Sequence, residues 1–333
     1  MAGRTRQIAL RHYRRQQRIT RLTANQVQEL WRLIDASDLT GSWNSGIGRR
    51  MVQAVSAGQL ASASLADDYV DEVADAEGGD PERAGSVRPS AFAGLAADGR
   101  ALDSLMYLSV ITTKQGIGGG LSAQDALMRG LRQALTLSGS EVTQAGRGAV
   151  GASMAGKRTI QGYVRVVNPP ACSRCIILAG KEYGWNTGFQ RHPRCDCVHL
   201  PTTLIARNQG RGYIDPDSYF NNLSRAEQDR VFTAAGARAI REGADMGQVV
   251  NARRGMYTTT AYGRTVQATS EGTTRRGYFY RQERRRAIDR GLISPSGRDF
   301  RLMSPRLLPE EIFRLADSRD EAIAMLRRFG YLT

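Results

Sequence analysis

The chain has 333 residues, 41% of them hydrophobic, which is long enough for two or three domains and apolar enough for at least one proper core. Its formal charge of +15 predicts attraction to polyanions. The longest apolar runs, 105–112 and 175–180, are far too short to span a bilayer, so a soluble protein made in the cytoplasm, with no membrane partner, is expected.

Lysine occurs only at Lys114, Lys157 and Lys181, so arginine supplies nearly all of the 47 basic residues. A GC-rich genome produces the same bias, yet arginine neutralises phosphate whatever its origin.

Residues 1–22 carry Arg4, Arg6, Arg11, Arg14, Arg15, Arg18 and Arg21 between Ile8, Leu10, Tyr13 and Ile19. This predicts a basic, weakly amphipathic helix or arm, whose face is either simply solvated or in contact with nucleic acid or an acidic surface. Thr23 with Gln26 reads as a capping box opening a second helix with Val27, Leu30, Trp31 and Ile34 at helical spacing. That helix is expected to stop in the Gly/Ser-rich stretch 39–46. Helices through Met51 and Val55, and from about Ser62 through Tyr69 and Val73, follow. The latter is acidic outside, with Asp67, Asp68, Asp71 and Glu72, a solvated face or a weaker case for a divalent cation.

The stretch 77–89 is Gly/Pro-rich and is expected to be a linker. Residues 91–113 read as one helix, broken by Gly116 and Gly118 to Gly120, which lack the Gly-Lys-Ser/Thr ending of a phosphate loop. Ser122 then caps a long helix, whose second half, 138–154, is rich in small residues suited to close packing. Residues 162–167 alternate like a strand.

That strand leads into 168–203, where all four cysteines lie. Cys172 and Cys175 form a C-x2-C pair; Cys195 and Cys197 form a C-x-C pair with His192 just before it and His199 just after it. A C-x2-C turn lets two thiolates converge on one cation, and a second turn completes a tetrahedron, so the stretch reads as a structural zinc loop. Cys172 and Cys175 are the fixed pair, the other two ligands come from His192, Cys195 and Cys197, and His199 is a weaker sixth candidate. Two disulfides or redox chemistry at C-x2-C are the alternatives. The arginine-rich N-terminus lacks the apolar segment of a secretory signal, and redox pairs are not usually matched by a second cysteine pair. A catalytic zinc would need a nearby base, for which only Glu182 qualifies.

Beyond Pro201, Ser224 with Glu227 forms a capping box opening a helix through Val231, Phe232, Ala239 and Ile240 that ends at Gly243. Asp245, Asn251 and Arg253 form a possible polar group or ordinary cap and turn residues. Residues 257–280 read as loop or short strands. Arg275, Arg276, Arg281, Arg284, Arg285 and Arg286, with Tyr278, Phe279 and Tyr280 among them, form the densest basic patch, the composition of a nucleic-acid or acidic-partner contact. Pro309 and the Ser318/Glu321 cap predict a self-contained C-terminal helix pair. The expected fold is therefore mainly α with a small α+β zinc-knuckle region: a helical N-terminal region with a basic arm (1–76), a linker (77–89), a domain ending in the cysteine motif (90–203), a helical module (204–256), and a basic segment with the helix pair (257–333).

Cys172-x2-Cys175, the turn at Leu178, Ala179 and Gly180, the aromatic spacer, His192-Pro193-x-Cys195-x-Cys197 and Pro201 together resemble the signature of MuF-like minor head proteins, the head morphogenesis proteins of tailed phages. The similarity covers roughly 100–203. Where that family often carries an Arg-Thr-Glu-like triplet before the motif, this chain has Glu141 and Arg147. Residues 219–256 resemble a module that often follows the motif in phages of actinobacteria. The resemblance implies a minor capsid protein present in few copies inside the head near the portal, with portal, major capsid or scaffold protein and packaged DNA as partners. A capsid maturation protease or a MuF-linked effector or nuclease is the alternative, but His12, His192 and His199 are the only histidines, which leaves little for a Ser-His protease or a His-based nuclease.

Overall fold

A computed structural model describes residues 2–80, 82–168, 170–188, 197–203, 215–297 and 300–332. Its first element is one helix, α1 (Ala2–Trp31), not an arm followed by a capped helix. Thr5, Ile8, Ala9, His12, Gln16, Thr23, Val27 and Trp31 are buried along one side of it. This stripe keeps helical spacing straight through Thr23, so the apparent capping box sits inside the helix and its threonine packs instead where any side chain at Gly58 would collide with it. The expected stop at 39–46 is itself helical: α2 (Leu39–Ser42), capped by Asp38, runs into a π-helical turn, Trp43–Ile47, and then α3 (Gly48–Ala63). Gly46, at φ 104°, absorbs the kink.

After α4 (Ala66–Ala76), described residues on both sides of position 81 are tied into the fold rather than forming a loose linker. Glu77 is buried and accepts from the Thr203 amide at 2.8 Å. Arg83 reaches Asp67 and Asp71 at 2.8 Å each, and buried Lys157 meets Asp71 at 2.7 Å. The acidic face of α4 is thus partly consumed by internal cations. Burial opposes ionisation of Asp71, but its bonds to Lys157 and Arg83 prevail and hold the carboxyl below its usual range.

The helix expected over 91–113 begins only at α5 (Leu102–Gly118). Ahead of it the chain makes a 3-10 turn, Pro89–Phe92, and a loop closed by a bridge between Leu95 and Ala101. Gln59 pins that loop at Leu95 O and Gly94 N, and Glu141 accepts from the Ala97 amide at 2.7 Å. Helix α6 (Ala123–Ala155) starts at Ser122, whose side chain accepts from the Asp125 amide, as expected. Strand β1 (Ile160–Val166) then pairs antiparallel with both β2 (Glu182–Gly184) and β3 (Val198–Thr203), in the order β2-β1-β3.

Two compact units emerge, Met1–Asn168 with Gly180–Tyr213, and Pro169–Ala179 with Ile214–Thr333. In the first, α1 and α6 run along two adjoining apolar clusters. One gathers Ile8, Tyr69, Val70, Val150, Tyr163 and Leu200, the other Val27, Trp31, Trp43, Met51, Met106 and Val142. Close approach depends on small residues, as the spacing of 138–154 suggests: a Cβ at Gly146 would strike the Ser62 hydroxyl and the Gln16 amide. The expected boundary at 77–89 falls inside this unit.

The second unit contains α7 (Ser173–Ile176), α8 (Pro216–Asn221), α9 (Arg225–Phe232), α10 (Ala234–Arg241) and α11 (Met246–Ala252). The Ser224–Glu227 capping box is present, but Thr233, at φ 69°, splits the single helix expected there into α9 and α10. A hairpin of β4 (Met256–Ala261) and β5 (Arg264–Thr269) follows, then α12 (Tyr278–Asp289), β6 (Arg306–Leu307) beside β5, α13 (Pro309–Leu315) and α14 (Arg319–Arg328). The helix pair is not self-contained: Ile312, Leu326 and Phe329 are buried in one cluster with Val249, Val266 and Phe279. The same cluster runs across the expected boundary at 256–257. The architecture is mainly helical with small antiparallel sheets. Among the described residues, no helix is long and apolar enough to cross a membrane.

Candidate metal centre and basic surfaces

Cys172 is the N-cap of α7, and its carbonyl accepts from the Cys175 and Ile176 amides at 3.0 and 3.1 Å. The C-x2-C segment is therefore one tight turn in the second unit, with Cys172 exposed and Cys175 buried. Two thiols on one turn are the soft donors that zinc favours. His192 and Cys195 lie outside the described residues. Among the described residues, no group of three or more His, Cys, Asp or Glu side chains comes together as a metal site.

Cys197 belongs to the first unit, immediately before β3, and is buried. Arg165 donates Nε to Cys197 Sγ at 3.2 Å, and Arg147 donates Nη2 to its carbonyl oxygen at 3.1 Å. The sequence reading missed Arg165. Its signal was an arginine between Val164 and Val166 in a strand buried on both faces.

The same region contains a cavity of about 480 Å³ whose lining includes Gln59, Glu141, Gln144, Arg147 and His199. Glu141 and Arg147 and the sixth candidate His199 are thus brought to one place. Burial raises the Glu141 pKa, against the lowering effect of the Ala97 amide. His199 also tilts against Tyr163 at 4.1 Å between ring centres, and its carbonyl accepts from the Tyr69 hydroxyl at 2.7 Å. His12 is stacked on Tyr69 at 3.9 Å, and burial, with Arg15 nearby, lowers its pKa to about 3.

The two basic stretches differ in availability. On and before α12, Arg275, Arg276, Arg281 and Arg285 are exposed. Arg284 instead donates to Pro295 O and Gly297 O at 2.8 and 2.9 Å, while Arg286 pairs with Glu283. The aromatics between them are structural. Phe279 is fully buried and packs near Phe329, and Tyr280 is buried with its hydroxyl on Phe300 O. These two buried rings offer no stacking platform for bases. The polar group at 245–253 also dissolves: Asp245 caps α11 and Arg253 pairs with Glu310.

Residues 4–226 match the family model for the VG15 protein, and the chain belongs to that family, a family of viral and phage gene products. Neither curated proteins nor solved structures give a match.

Proposed function

We propose that the chain is a minor head protein of a tailed phage, of the MuF-like type, acting in head morphogenesis and residing inside the head near the portal. The observation that carries this reading is the cysteine motif within a chain of a phage gene-product family. Portal, major capsid or scaffold protein are its protein partners. Exposed arginines, including Arg275, Arg276, Arg281 and Arg285, are available to acidic partner surfaces or packaged DNA.

A structural zinc ion completes the proposal. Cys172 and Cys175 hold it with two of His192, Cys195 and Cys197, and it supplies folding energy rather than reactivity. The tight turn at Cys172 supports this donor chemistry. Elemental mass spectrometry on purified protein should find about one zinc per chain. Cys172→Ser should lose it and melt well below wild type; a variant that melts like wild type would remove the structural role. Mass spectrometry of purified virions should detect the chain in few copies, and its absence from particles would overturn the minor-head reading.

A further inference from the structure

One side of α1 is a continuous polar seam. Arg4, Gln7, Arg11, Arg14, Arg18, Arg21 and Asn25 follow each other at alternating steps of three and four residues, and all are exposed. Such steps return to the same side of a helix, so the seam runs parallel to the axis for about 30 Å. Arg15 is also exposed beside it, and the buried stripe of α1 occupies the opposite side. Among the described residues, Arg11 alone of these arginines pairs with a carboxylate, Glu72 at 2.8 Å.

We infer that this seam binds the phosphate backbone of double-stranded DNA without reading sequence. The alternatives fit the chemistry less well. A second copy of the helix would bring arginine against arginine at every step. A protein partner needs an apolar or aromatic centre in its contact, whereas the seam has none and only Leu22 is exposed at its edge. Single strands are held by aromatic stacking, which no exposed aromatic side chain of the seam provides. Guanidinium and carboxamide donors in a straight line suit phosphate oxygens, where contacts give affinity and orientation but no specificity. The inference rests on the phage-head reading only for the source of the polyanion.

Fluorescence anisotropy of the full chain with a duplex of arbitrary sequence, taken through a salt series, tests it. The triple variant Arg14→Gln, Arg18→Gln, Arg21→Gln should keep its melting temperature and flatten the slope of log K against log salt by about 0.9 per lost contact. Asn25→Arg should steepen it by about the same amount. Wild-type protein that ignores duplex at low salt, an unchanged slope in the triple variant, or tighter binding to single strands would overturn the inference. These results are independent of whether virions contain the chain.

Discussion

Helices α1 and α12 have similar arginine-rich text but different uses for it. In α1 the buried side carries Ile8, His12, Gln16 and Val27, and the arginines fall on the other side, so the charge faces solvent. In α12 the aromatics take the buried side, and two arginines turn back to tie the chain, Arg284 onto the 295–297 turn and Arg286 onto Glu283. Phase relative to the core, rather than the number of arginines, decides whether basic residues are available to a partner.

The largest expected effect comes from an arginine that is wholly structural. Arg306 is buried, donating to Phe329 O, Glu271 O, Gly330 O and Gln248 Oε1 beneath the Tyr331 ring. Arg306→Met leaves those acceptors without a donor and should cost about 3 kcal/mol or more in urea unfolding. Arg18→Met on the seam should fall within about 0.5 kcal/mol of wild type.

Acid distinguishes the buried sides. The His12 pKa drops from 6.5 to about 3, so the folded state prefers the neutral ring. Its contribution is intact above the unfolded value. As pH falls from 6.5 towards 3, the unfolded chain binds a proton that the folded chain refuses, and stability declines by up to about 1.4 kcal/mol per pH unit. Denaturant midpoints across that window should show the decline, and His12→Phe, which keeps a ring against Tyr69, should remove the His12 share of it while leaving the share of carboxylates such as Asp71, whose pKa is also held low in the fold. The smallest effect separates arginines within α12: Arg284→Ala should lose about 1 kcal/mol, and Arg281→Ala close to none.

Much of the helical pattern was legible because caps are local. Ser122, Ser224 with Glu227, and Pro309 each open a helix where the residue text places it. Thr23 with Gln26 has the same text yet lies mid-helix, because only the three-dimensional burial of Thr23 against Gly58 decides between the readings. The loop before α5 was illegible for a similar reason: Gly94 and Gly99 take φ near +87° and +86°, held by Gln59 and Glu141, residues distant in sequence. At the candidate metal centre the cysteine spacing was readable, whereas the arginines contacting Cys197 come from 32 and 50 positions away.

The segment Pro169–Ala179 leaves the first unit between β1 and β2 and joins the second. There α7 packs on α8 and α11, which are encoded after it. During synthesis Cys175 and Ile176 therefore emerge from the ribosome before the surface that buries them exists, while β1 waits for β3. Neither unit can be released by one proteolytic cut, and a fragment ending at residue 203 would display an orphaned apolar turn. Expression of the intact chain, or a permutation that brings 169–179 next to 214, is the route to isolating either half.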